Sequence, residues 1–173
     1  MKSFFFFLIV LAFSFSISAQ QANPCASEQH RQFDFWVGEW EVKNADDQVV
    51  GNSKIELILN NCVIMENWTS ASPGYSGKSF NYFNPFTKEW NQKWIDSGGI
   101  PIEFSGTYNK EDQAMYYTAL TLNREGKEVQ NKLSFYKKSN DYVNQVWEQS
   151  SDYGKTWATV FDGHYRRKKV TQN

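Results

Sequence analysis

Trp90, Gln92, Trp94 and Asp96 share one face of an extended segment, and Ile64, Glu66, Trp68 and Ser70 share one face of another. Two carboxylates set beside tryptophans have the makings of a general acid/base pair. An apolar wall strips water from a carboxyl group, raises its pKa and lets it exchange a proton near neutral pH. The same residues fit two further roles. Polar side chains between tryptophans can orient a molecule in a pocket, and a tapering barrel interior keeps a few buried polar groups bonded to one another. No nucleophile elbow, phosphate loop or CxxC accompanies them, so hydrolase, kinase or thiol-redox chemistry has no motif to rest on.

Other candidates are thinner. His164 alternates with Phe161, Gly163 and Tyr165 and shares its face with Val160, Asp162 and Arg166, a charged set that points outward. His30 has no partner histidine one turn on, which leaves zinc without a ligand set. No metal or cofactor is expected. Ser150, Asp152, Gly154, Thr156 and Trp157 spell S-x-D-x-G-x-T-W, the Asp-box of sialidase-type propellers. Propellers repeat it once per blade; here it occurs once, as a hairpin device.

These residues need a frame, and the segment Phe33 to Val42, FDFWVGEWEV, starts it. Read as one strand, it puts Trp36, Gly38, Trp40 and Val42 on a single face, with Gly38 marking the close approach of another backbone or a ligand. Ten strands with period-two patterning follow one another: Trp36–Lys43, Val49–Leu59, Cys62–Ser70, Lys78–Phe83, Glu89–Asp96, Pro101–Tyr108, Ala114–Leu122, Glu128–Lys137, Tyr142–Ser150 and Thr156–Arg167. The links between them are short and rich in Asn, Asp, Gly and Ser, which permits only antiparallel neighbours. A ten-stranded meander removes its edges by closing. The expected fold is therefore all-β, an antiparallel up-and-down barrel of lipocalin-like form. Ala26–Phe33 is the one helical candidate, placed to plug a barrel mouth.

Residues 1–19, MKSFFFFLIVLAFSFSISA, read as a secretory signal peptide, leaving 20–173 as a single domain. Its apolar run is short for a membrane span. Lys2 leaves with it, so 17 of the 18 basic residues face 19 acidic ones, and nothing in that balance favours nucleic acid or an anionic membrane. Two cysteines in an exported chain suggest a Cys25–Cys62 disulfide, with two free thiols as the alternative.

Several of these features occur together in one family. The F-D-F-W-V-G-E-W opening, Cys62 with Glu66-x-Trp68, Gln92-x-Trp94-x-Asp96, and the Asp-box leading into Asp162-Gly163-His164-Tyr165-Arg166 resemble an uncharacterised family of secreted bacterial domains with lipocalin-like barrels. The resemblance spans nearly the whole mature chain and implies the barrel, but no reaction. More distantly the chain is similar to nitrobindin, a ten-stranded haem barrel whose axial histidine lies near the C-terminus, as His164 does. Glu41, Val42 and Lys43 stand where the nitrobindin opening has glycines.

Residues and resemblance together give a secreted or periplasmic barrel holding a small, largely apolar molecule. Gly38, Trp40, Glu66, Trp68, Trp90, Gln92, Trp94 and Asp96 would form its pocket. The alternatives are an enzyme using Glu66 or Asp96 as general base, for example in isomerising or hydrating a hydrophobic substrate, and a solid-core module that binds partners through its loops.

Overall fold

The computed structural model describes residues 23–169; the expected signal peptide lies outside them. Ten strands run in chain order: β1 (Gly38–Lys43), β2 (Val49–Ile58), β3 (Val63–Ser70), β4 (Ser76–Asn84), β5 (Glu89–Asp96), β6 (Pro101–Asn109), β7 (Ala114–Leu122), β8 (Glu128–Ser139), β9 (Tyr142–Ser150) and β10 (Ala158–Arg167). Each pairs antiparallel with the next, and β1 pairs with β10 to close the barrel. The alternation that suggested strands also sorts the faces. In β3, Ile64, Glu66 and Trp68 are buried while their neighbours are more exposed, and in β4 Gly77, Ser79 and Asn81 do the same.

The chain ahead of β1 closes one end. The helix expected over Ala26–Phe33 is a single turn, α1 (Glu28–Arg31), followed by a 3-10 turn, Asp34–Trp36. Trp36 therefore belongs to no strand, which corrects the reading of FDFWVGEWEV as one extended segment. The 3-10 turn swings Trp36 inward, and its backbone N–H donates to Phe33 O at 3.1 Å. Phe33 and Trp36 stack at 5.0 Å and pack on Phe135, with Trp90 and Tyr117 against Phe33. Cys25 and Cys62 form a disulfide that ties the plug to the β2–β3 turn, where Leu59, Asn60 and Asn61 all adopt positive φ.

The Asp-box is the β9–β10 hairpin at the opposite end. Asp152 accepts bonds from the Thr156 N–H at 2.9 Å, the Thr156 hydroxyl at 2.6 Å and the Ser150 hydroxyl at 2.7 Å, and these hold its carboxyl down at a pKa of about 2. Gly154 takes φ of +83°, and Trp157 donates back to its carbonyl at 3.1 Å.

Candidate ligand-binding site

Between the aromatic plug and the open end lies a cavity of about 530 Å³, within the usual range for small-molecule sites. Residues of seven strands reach it: β2, β3, β5, β6, β8, β9 and β10. Its waist is aromatic: Trp68 of β3, Trp94 of β5, Phe104 of β6, Trp147 of β9 and Phe161 of β10. Glu66, Gln92, Gln145 and Tyr165 line its deeper, polar part, and Val49, Ser72, Tyr75 and Val160 line its mouth. Two glycines make room for the tryptophans. Gly51 on β2 lies under the Trp68 ring and Gly77 on β4 under the Trp94 ring, each so closely that a Cβ would collide with the indole.

Glu66 is the chemical centre. It is only 4% exposed, and three hydroxyls surround it. Ser53 donates to Oε1 at 2.7 Å, Ser79 donates to Oε2 at 3.1 Å, and the Tyr165 hydroxyl lies 3.4 Å from Oε1. That hydroxyl is also 2.5 Å from Gln145 Oε1, so its single proton serves one acceptor at a time. Behind Ser79 the network continues: Asn81 donates to Ser79 Oγ at 3.0 Å and accepts from Gln92 Nε2 at 2.7 Å. These bonds favour the ionised carboxylate, but burial outweighs them and pushes Glu66 up to a pKa of about 7. Burial likewise holds Tyr165 and Tyr117 well above the usual phenol range, so both stay neutral.

The residues singled out from sequence divide between two places. Glu66, Trp68, Gln92 and Trp94 line the cavity. Trp40 and Trp90 are in the packed end instead: Trp40 donates to Trp36 O at 2.8 Å, and Trp90 donates to Gln32 Oε1 at 3.1 Å. Gly38 is there too, at φ of +144°, and what approaches it is the Arg167 guanidinium. That guanidinium donates to Val37 O at 3.1 Å and covers the Trp40 ring at 4.2 Å. Asp96 sits at the rim, accepting from the Tyr75 hydroxyl at 3.2 Å and the Gly98 N–H at 2.8 Å. The structure therefore does not bring Glu66 and Asp96 together as a pair within the cavity.

His164 lies on the outer face, as its alternation indicated, with Nδ1 2.7 Å from the Tyr142 hydroxyl and Asp162 nearby. Val160 breaks the same alternation. A register shift between Thr159 and Phe161 turns it to the cavity mouth. Among the described residues, no cluster of His, Cys, Asp and Glu is arranged to hold a metal ion.

The sequence reading passed over Gln145, Trp147 and Gln149. Val143, Gln145, Trp147 and Gln149 repeat on β9 the polar–tryptophan alternation of β5, so the signal was present. Trp147 Nε1 and Gln149 Nε2 both donate to Asn131 Oδ1, at 3.0 and 2.9 Å, which fixes this wall. No protein-family model matches the chain, and no curated protein matches it in sequence.

Proposed function

We propose that this is an exported binding protein that holds a small, largely apolar molecule inside its barrel. The observation that carries the reading is the unfilled half of the interior: about 530 Å³ bounded mainly by aromatic side chains and open at one end. A solid-core module has no use for such a space. Export accords with the disulfide, which persists in oxidising compartments, and among the described residues no helix is long and apolar enough to cross a membrane. The likeness to secreted lipocalin-like domains fits the same picture.

Titrating a panel of apolar ligands into the mature protein while following tryptophan emission tests this reading. Saturable quenching with one molecule bound per chain is the expected result. A flat response across alkyl, aryl and terpenoid ligands would overturn it.

A second reading rests on Glu66. A buried carboxyl titrating near pH 7 suits a general base. With Asp96 at the rim, any proton transfer would fall to Glu66 alone, and turnover of a hydrophobic substrate lost in Glu66→Gln would support it.

A further inference from the structure

We propose that the molecule held in the cavity is an organic cation, an apolar and preferably aromatic body bearing one ammonium group that pairs with Glu66. This rests on the binding reading above and specifies the ligand's chemistry.

The first observation is a missing partner. Lys54–Glu56, Lys93–Glu103 and Lys127–Glu125 pair on the surface, whereas the polar partners of Glu66 among the described residues are three hydroxyls, those of Ser53, Ser79 and Tyr165. Among the described residues no Lys, Arg or His lines the cavity. The ionised carboxylate is thus a buried charge without a counter-charge, which is costly unless something supplies one. An anionic ligand would add repulsion, and a neutral one would leave the charge uncompensated. An ammonium group is the ligand head that neutralises it.

The second observation is the wall. Indole faces attract cations, most strongly where water is excluded. The protein's own cations cover two other tryptophans, with Arg167 over Trp40 and Lys132 over Trp157. Trp68, Trp94 and Trp147 line the cavity, and no cation of the described residues covers any of them in this way. Aromatic faces and a lone carboxylate in one enclosure make a site for an ammonium group on an apolar body.

The groups around Glu66 define the pH behaviour. Ser53 and Ile55 from β2, Ser79 from β4 and Tyr165 from β10 lie against it, Gln92 from β5 and Gln145 from β9 line the same cavity, and of these only Tyr165 titrates. It stays neutral. Farther out, the Tyr75–Asp96 pair stands at the mouth. In the empty cavity Glu66 is half protonated at about pH 7. Docking of an ammonium favours the carboxylate, so the proton on Glu66 is released to solvent. Below that pH the cation must displace the proton, and its affinity falls about tenfold per pH unit.

Calorimetric titration of the disulfide-bonded mature protein with naphthylethylamine and with its neutral counterpart naphthylethanol decides the matter. At about pH 8 the amine is expected to bind at least about tenfold more tightly than the alcohol. Its affinity should fall with acidification while the alcohol's does not. Glu66→Gln should abolish the amine's advantage over the alcohol, and the pH profile of the unmodified protein makes the same test without a variant. Alcohol bound as tightly as amine, or amine affinity indifferent to both pH and Glu66→Gln, overturns the cation and leaves an apolar binder standing. Binding of neither overturns the aromatic cation, and the apolar panel above then decides whether the binding reading falls with it.

Discussion

The two ends of this barrel use the same side chain for different purposes. Trp36, Trp40 and Trp90 at the plugged end are at most 2% exposed and packed on other rings. At the open end Trp68, Trp94 and Trp147 stand around empty space, two of them seated on glycines that give the indoles room. The strands are equally regular at both ends. What differs is the segment from Cys25 to Trp36, which fills one mouth and is anchored there by the disulfide, while among the described residues no comparable segment enters the other. Core and pocket are separated by what lies outside the strands, not by the strands' own pattern.

Alanine substitution should expose this difference most strongly. Trp36→Ala removes a ring enclosed on all sides and is expected to cost about 3–5 kcal/mol in urea unfolding. Trp94→Ala already borders a cavity and should cost roughly 1–2 kcal/mol, with most of its effect on ligand binding. Equal losses at the two sites would abolish the distinction.

Cys62→Ser should cost about 3–4 kcal/mol, since the bond closes a loop of 37 residues. The plug should loosen first, seen as faster amide exchange in Phe33–Trp36 than in β7 and β8. Uniform loss of protection around the barrel would mean the plug is no separate element.

Glu66 provides a pH test on the open side. Its folded pKa of about 7 lies above the usual 4.5, so between these values the folded chain binds more protons than the unfolded one. Stability should therefore fall as pH rises through this window and level off above it, by roughly 3 kcal/mol in all. Glu66→Gln should flatten that slope. Wild-type stability that climbs from pH 5 to pH 8 would contradict the assignment of Glu66 as a buried acid.

The smallest change sharpens the account of the glycines. Gly77→Ala should push the Trp94 ring into the cavity, costing about 1–2 kcal/mol and weakening binding of large ligands more than small ones. Size-independent binding would place the ligand away from Trp94.

The barrel was legible because alternation with a period of two and turns rich in Asn and Gly survive in the sequence whatever the barrel encloses. β5, β7 and β9 begin and end where the pattern indicated, at Glu89–Asp96, Ala114–Leu122 and Tyr142–Ser150. Half of the candidate site was legible for the same reason, since Glu66, Trp68, Gln92 and Trp94 occupy inward phases. The alternation carries no coordinate along the barrel axis, so it could not tell Trp90, packed under the plug, from Trp94 four residues on. Trp36 was misread because a 3-10 turn and a strand start look alike where aromatics cluster, and Val160 because a one-residue register shift reverses the face. Gly38 announced a close approach, but not that Arg167, distant in sequence, makes it.

The proposed binding requires the open end and not the plugged one. Titrating the neutral dye N-phenylnaphthylamine into the wild type, Trp94→Ala and Trp90→Ala tests it most directly, with circular dichroism confirming that each variant is folded. Saturable dye fluorescence in the wild type is expected, with at least about tenfold weaker binding in Trp94→Ala and near-wild-type affinity in folded Trp90→Ala. Equal weakening in both variants, or none in Trp94→Ala, would contradict it.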